Sequence, residues 1–262
     1  MKLRIYQVDA FTDRIFSGNP AAICPLEEWL SETIMQQIAM ENNLAETAFF
    51  VKRDQGYEIR WFTPTLEVDL CGHATLASAF VLFNCAGHTA DTIRFYSPRS
   101  GHLEVKRHQN YLTLNFPADF FTPVPITAEL EAAFDIAPEA AYKGRTDYML
   151  VFGSEEHVRR AKPDLARIAQ LNARGVIITA KGNEVDFVSR FFAPQSGIDE
   201  DPVTGSAHTT LTPYWARELR KNELTARQLS ARQGYLRCNH LDDRVEISGQ
   251  ARLYLTGEIE LD

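Results

Sequence analysis

Short runs of alternating polar and apolar residues dominate this 262-residue chain, and two longer apolar segments of helical length interrupt them. Alternation with period two predicts strands over Leu3–Asp9, Thr47–Lys52, Tyr57–Phe62, Thr92–Tyr96, Leu103–Lys106 and Tyr111–Phe116. Phe11–Pro20 reads as a turn-rich loop, punctuated by Ser17-Gly18-Asn19-Pro20. Ser31–Asn42 predicts a helix, with Ser31 able to cap it and Ile34, Met35 and Ile38 on one apolar face. After a loop from Thr63 to Cys71, Gly72–Cys85 predicts a second helix with almost no polar side. A helix that is apolar all round is buried on all sides. The simplest packing wraps the strands around it as a curved sheet.

Proline-bearing Phe116–Pro125 reads as a connection, after which the mixture repeats. Strands are expected over Tyr148–Phe152, Val176–Ala180, Phe187–Phe192, Gln228–Leu236, Arg244–Ser248 and Ala251–Glu260. Val158–Leu171 reads as an exposed amphipathic helix. Gly205–Leu219 reads as a second central helix, in which Pro213 predicts a kink or a late start.

The repetition extends to single residues. Arg60-Trp-Phe-Thr-Pro64 precedes Cys71-Gly-His-Ala74, and Arg190-Phe-Phe-Ala-Pro194 precedes Thr204-Gly-Ser-Ala-His208. The two arginines lie 130 residues apart in a chain of 262. This echo predicts a duplicated α+β protein. Each half would be a curved, mostly antiparallel, barrel-like sheet around a buried central helix. The halves are expected at 1–120 and 121–262, with an active site in the cleft between them. Helix N-termini at such a site present free backbone N–H groups and the positive end of the dipole, which suits a small anionic substrate.

Composition narrows the class of partner. With 45% hydrophobic and 24% charged residues the chain is that of an ordinary globular protein, and its net charge is −8. Nucleic acid and anionic membranes both favour a basic face, so neither is expected as a partner. The amino terminus has no signal-peptide apolar run, and no stretch is long enough to span a bilayer. Cys24, Cys71, Cys85 and Cys238 show no CxxC spacing and are too few for a disulfide scaffold, so reduced thiols and a cytoplasmic location are expected.

Four blocks carry a family resemblance: Val8-Asp-Ala-Phe-Thr12 with Gly18-Asn-Pro-Ala-Ala22; Leu44-Ala-Glu-Thr-Ala48; Asp69-Leu-Cys-Gly-His-Ala-Thr75; and Asp199-Glu-Asp-Pro-Val-Thr-Gly-Ser-Ala207. In this order they resemble the PhzF, phenazine biosynthesis-like, isomerase family. The resemblance implies the diaminopimelate-epimerase-like fold, a homodimer, no cofactor, and isomerisation in which one carboxylate moves a proton within a small anionic metabolite. It implies Glu46 as the proton carrier, with His73, Asp201 and Ser206 lining the same cleft. Members often carry Ser before the acid; here the residue is Ala45.

The residues suit that chemistry. A carboxyl can take, hold and return a proton if a desolvating site lifts its pKa to about 6–7. Glu46 has apolar neighbours at Leu44, Ala45, Phe49 and Phe50. His73 can donate to a substrate oxygen or relay a proton. Asp201 can orient His73 or bind an ammonium group, and otherwise reads as a helix-entry carboxylate. Ser206 either binds substrate carboxylate or caps its helix. Gly72 and Gly205 allow close backbone approach to a ligand, and otherwise are turn glycines. Gly18-Asn19-Pro20 reads physically as a turn and enters no step.

Four rivals remain in view. A two-thiol racemase or epimerase of the same fold would use Cys71, but the second loop has no cysteine and Cys238 lies outside any matching motif. A Cys71/His73 hydrolase is disfavoured, because positions two apart in a helix do not face each other. A metal site from His73, His208, Asp201 and Cys71 lacks a ligand-spaced pair such as HExxH, so no metal is expected. A non-catalytic small-molecule binder would have no need to keep Glu46, His73 and Asp201 together.

Overall fold

The computed structural model describes residues 1–261. The chain divides into two compact units, Met1–Asn115 with Ser248–Asp262, and Phe116–Ile247. The expected second half, 121–262, is therefore too long. Residues from Ser248 onward belong to the first unit because the C-terminal strand Ala251–Glu260 pairs antiparallel with the first strand, from Lys2 opposite Glu260 to Ala10 opposite Ala251.

Unit 1 contains, in order, β1 (Lys2–Ala10), β2 (Asn19–Leu26), α1 (Glu32–Asn42), β3 (Glu46–Arg53), β4 (Gly56–Phe62), β5 (Glu67–Val68), α2 (Gly72–Asn84), β6 (Thr92–Ser97), β7 (Gly101–His108) and β8 (Tyr111–Pro117) up to Asn115. The pairings β1–β2, β3–β4 and β6–β7 are antiparallel, whereas β2–β3 and β4–β6 are parallel. β2 begins inside the predicted loop. Pro20 is tolerated there because only β1 flanks it; the ladder with β3 starts one residue later, at Ala21.

α2 is buried on nearly every side, as its apolar sequence requires: Leu76, Ala77, Ala79 and Val81 are fully enclosed. It lies against β1, β2, β3, β7 and the C-terminal strand. Its two small polar residues satisfy themselves on the helix. Thr75 donates to the Cys71 carbonyl at 2.6 Å and Ser78 to the Ala74 carbonyl at 2.8 Å.

Unit 2 contains β9 (Thr122–Val124), α3 (Ala128–Glu131), β10 (Ala140–Lys143), β11 (Asp147–Val151), α4 (Glu155–Arg160), α5 (Leu165–Ile168), β12 (Gly175–Lys181), β13 (Phe187–Phe192), α6 (Gly205–Leu219), β14 (Glu223–Gln228) and β15 (Gly234–Leu241). From β10 to β15 successive pairings run antiparallel, parallel, antiparallel, parallel, antiparallel. Unit 1 has the same alternation from β1 to β7, with its helices at the corresponding crossovers. Each unit is thus α+β, a mixed sheet with helices at its crossovers.

The echoed arginines hold equivalent posts. Arg60 in β4 forks Glu67 through Nε and Nη2, both at 2.7 Å, and lies over the Phe62 ring. Arg190 in β13 forks Glu200 at 2.7 and 3.0 Å and lies over the Phe192 ring. Each fork ties a strand to the loop that leads into a buried helix.

Two further elements differ from the sequence reading. The helix expected over Val158–Leu171 is two short helices. Pro163 supplies no N–H and disfavours helical backbone at Lys162, and Val158 and Ile168 are buried rather than exposed. The strand expected over Gln228–Leu236 is split by a turn in which Gln233 takes φ 55°. α6 has the expected bounds, Gly205–Leu219, with no late start at Pro213, and the Thr209 carbonyl that Pro213 leaves without its helical donor accepts the Asp119 N–H at 3.1 Å. No helix of the described residues is long and apolar enough to cross a membrane.

Candidate active site

In unit 1 the chain delivers four chemically active side chains to one buried point. α1 ends at Asn43, whose left-handed backbone (φ 49°) turns the chain into β3. Glu46 is the first residue of β3 and stands opposite Ala21 of β2. Asn19, two residues before Ala21, therefore lies on the same face. α2 brings His73 in its first turn, and Cys71 is the extended residue before Gly72 (φ −136°, ψ 109°).

His73 Nε2 lies 3.2 Å from Glu46 Oε2. The approach is at hydrogen-bond distance but not in hydrogen-bond alignment, and among the described residues Nε2 makes no hydrogen bond. On the opposite edge of the ring, Asn19 Nδ2 lies 3.2 Å from Nδ1, and Cys71 Sγ lies 3.4 Å from it. All four residues are buried, Asn19 completely. Burial pushes the His73 imidazole down to about 3, so the ring is neutral at physiological pH and its contact with Glu46 is not an ion pair of two charges.

The contact between Cys71 and His73 corrects the argument used above against it. Cys71 precedes the helix, so the rule that helical positions two apart face different ways does not apply.

One donor atom each from Glu46, Cys71 and His73 lies within 4.8 Å of the other two. The donor types suit a borderline-soft ion such as Zn²⁺. The orientation does not converge on one point: Cys71 faces Nδ1 and Glu46 faces Nε2. Binding one ion through one ring nitrogen would require the ring to turn or a partner to leave.

Asp201 and Ser206 belong to unit 2. Asp201 is buried, and its Oδ2 accepts the Thr204 hydroxyl at 2.5 Å. Gln228, completely buried, donates to the Asp201 carbonyl at 2.7 Å and to Thr204 Oγ1 at 3.1 Å, and accepts the Thr204 N–H at 2.8 Å. Ser206 is the second residue of α6 rather than its cap, and its Oγ accepts from Arg174 Nη2 at 3.0 Å. Arg174 is itself clamped by buried Asp147, with Nε to Oδ1 at 2.9 Å and Nη2 to Oδ2. His208 is buried, pushed down to about 4, and its Nδ1 meets the Thr204 carbonyl at 2.8 Å.

Sequence reasoning missed Asn19, Gln228, Arg174 and Asp147. Only Asn19 left a signal, as the Gly18-Asn19-Pro20 block that was read as a turn.

The family model described as phenazine biosynthesis-like protein, PhzC-PhzF, matches residues 8–257. The chain belongs to this family. An uncharacterized isomerase of Pseudomonas aeruginosa is 52% identical to it over 262 residues, with 100% of each chain covered. The crystal structure of a PhzF-family phenazine biosynthesis protein of Enterococcus faecalis superposes with a TM-score of 0.97 at 49% identity, again over 100% of both chains. A hydroxyproline epimerase of Agrobacterium vitis aligns with a TM-score of 0.66 at 8% identity, covering 100% of this chain and 93% of its own, a likeness of fold alone. This PhzF-family chain is thus isomerase-like with an epimerase-like fold, and the Glu46–His73 contact is built from residues inside the matched region.

Proposed function

We propose that this chain is a cofactor-independent isomerase in which Glu46 moves a proton within a small anionic substrate. The observation that carries this reading is the buried contact of a carboxylate with a neutral imidazole, Glu46 Oε2 to His73 Nε2 at 3.2 Å. Ionised Glu46 takes a proton from a substrate carbon. The C–H electron pair enters the adjoining π system, and the resulting carboxylic acid returns the proton at a second carbon. No atom is gained or lost. His73 stands beside the carboxylate to donate to whichever oxygen carries negative charge.

Unit 2 supplies groups suited to holding an anion. Arg174 donates to Ser206 Oγ, which leaves the hydroxyl proton of Ser206 to be donated elsewhere. We assign Ser206 and the Gly205 backbone to the substrate anion, Gly72 to close backbone approach at α2, and Asp201 to proton transfer or substrate orientation.

Proton NMR of the protein with trans-2,3-dihydro-3-hydroxyanthranilate, the kind of small cyclic anion that the resemblance to the PhzF family suggests, in D2O beside Glu46→Gln, tests the reading. Isomerisation that vanishes in the variant, by a factor on the order of 10²–10⁴, is the expected result. Near-normal turnover by folded Glu46→Gln would refute it. A second reading has one observation in its favour. Cys71 Sγ at 3.4 Å from His73 Nδ1 is a thiol beside a base, as a thiol-dependent racemase would need.

A further inference from the structure

The Asn19–His73 contact carries an inference that rests on the proton-shift reading and refines it. We infer that Asn19 is a positioning residue whose side-chain amide fixes His73 as the Nε2-protonated tautomer, with its N–H on the side of Glu46.

A neutral imidazole has one N–H and one lone pair. Burial keeps His73 in that neutral form. Asn19 Nδ2 carries only donors, and it stands 3.2 Å from Nδ1. Nδ1 must therefore accept, which leaves the ring proton on Nε2. Cys71 agrees, since a thiol is a weak donor and its Sγ lies 3.4 Å from the same Nδ1. Glu46 agrees from the other edge, where a carboxylate oxygen 3.2 Å from Nε2 favours an N–H there and disfavours a lone pair. The opposite tautomer would set donor against donor at Nδ1 and lone pair against lone pair at Nε2.

The misalignment of Nε2 with Glu46 gives this proton a use. Nε2 makes no hydrogen bond among the described residues, so its N–H is available to a substrate oxygen beside the carboxylate. One residue takes the substrate proton and its neighbour donates to the charge left behind. Asn19 decides whether that neighbour is a donor or an acceptor.

Asn19 is held firmly enough for the task. It is completely buried and pairs with Ala10 at the mouth of the β1–β2 hairpin. Gly18 beside it has φ 69°, and a Cβ there would come within 2.2 Å of the Ala10 carbonyl oxygen.

His208 supplies an internal reference. Its Nδ1 faces the Thr204 carbonyl at 2.8 Å, an acceptor, so that ring carries its proton on Nδ1. The two buried histidines are expected in opposite tautomers.

The test is a long-range ¹H–¹⁵N correlation spectrum of the full chain labelled with ¹⁵N-histidine at neutral pH, assigned with His73→Gln and His208→Gln. The expected pattern is Nε2–H for His73 and Nδ1–H for His208. Asn19→Asp keeps the shape but replaces the donor with an acceptor. It should turn His73 to Nδ1–H and lower kcat on the order of 10²–10⁴-fold with a much smaller change in KM. An Nδ1–H pattern for wild-type His73 would overturn the inference, as would Asn19→Asp that keeps both the wild-type tautomer and wild-type kcat. The wild-type spectrum decides the tautomer whether or not Asn19→Asp folds. It needs no substrate, so failure of the isomerase reading, judged by Glu46→Gln, is separable from failure of this one.

Discussion

Thr204 occupies in unit 2 the backbone position that Cys71 occupies in unit 1. Each is the extended residue immediately before the glycine that opens a buried helix, and neither caps that helix with its side chain. Their side chains have diverged: Cys71 Sγ faces His73 at 3.4 Å, whereas the Thr204 hydroxyl is donated to Asp201 at 2.5 Å. A two-thiol mechanism built on this duplication would want cysteine at both positions. Cys238 does not replace the missing one, since it is buried in β15 and pushed up to about 12 by desolvation. Cys71→Ser should therefore keep kcat within about tenfold of wild type, a change of ~1.4 kcal/mol in barrier. A loss as deep as that of Glu46→Gln would make the thiol the base.

Arg190 bears more than one contact. Besides the fork to Glu200, its Nη1 donates to the carbonyls of Val158 at 3.2 Å and Ala161 at 2.7 Å. Arg190→Met would leave a part-buried carboxylate and two carbonyls without their donor. It is expected to lose about 2–3 kcal/mol of stability, by the cost of breaking a hydrogen-bonded ion pair from one side. Arg190→Lys should recover only part of that, because an ammonium cannot reproduce the fork. Urea unfolding of the three proteins measures both effects. Equal midpoints for wild type and Arg190→Met would remove the fork from the account of how the α6 loop is held.

The duplication was legible because it is written in local pattern: the Arg-aromatic-aromatic runs in strands, then a glycine, then an apolar helix. The return of Ala251–Glu260 to β1 was not, because strand pairing between the two ends of a chain leaves no local trace. The break in the Val158–Leu171 helix was visible in principle, since Pro163 is a strong local signal that the apolar periodicity outweighed. Within the candidate site, Glu46 and His73 were found by motif and their 3.2 Å contact is tertiary. Asn19 was in view as a turn residue. Which of its atoms meets which ring nitrogen depends on the β2–β3 register, which sequence does not print. Arg174 and Asp147 carried no motif at all.

Gly18 is a position where side-chain absence is required twice. Its φ of 69° disfavours any Cβ, and the added atom would lie 2.2 Å from a backbone oxygen of β1, which cannot swing aside as a side-chain end would. Gly18→Ala should cost about 2–4 kcal/mol, combining left-handed strain with overpacking. Because Asn19 follows directly, turnover should fall further than stability alone explains. Urea unfolding alongside kcat at a temperature where the variant is fully folded separates the two effects. A stability loss below about 0.5 kcal/mol, the range of ordinary surface substitutions, would show that the hairpin adapts.

The two buried histidines predict a pH dependence of stability. Burial pushes His73 down to about 3 and His208 down to about 4, whereas both titrate near ~6.5 in the unfolded chain. Between those values the unfolded state binds more protons than the native state. Stability is therefore fully present above about pH 6.5 and declines as pH falls through the window. Each unit of pH inside it costs about 1.4 kcal/mol per histidine, so the drop from pH 7 to pH 5 is ~4 kcal/mol for the pair. His208→Gln removes one of the two contributions and should show about half that drop, whatever its stability at pH 7. Urea midpoints of both proteins at pH 7 and pH 5 measure the difference. An equal drop in the two would mean that His208 takes up its proton in the native state, and that the space around its ring admits water.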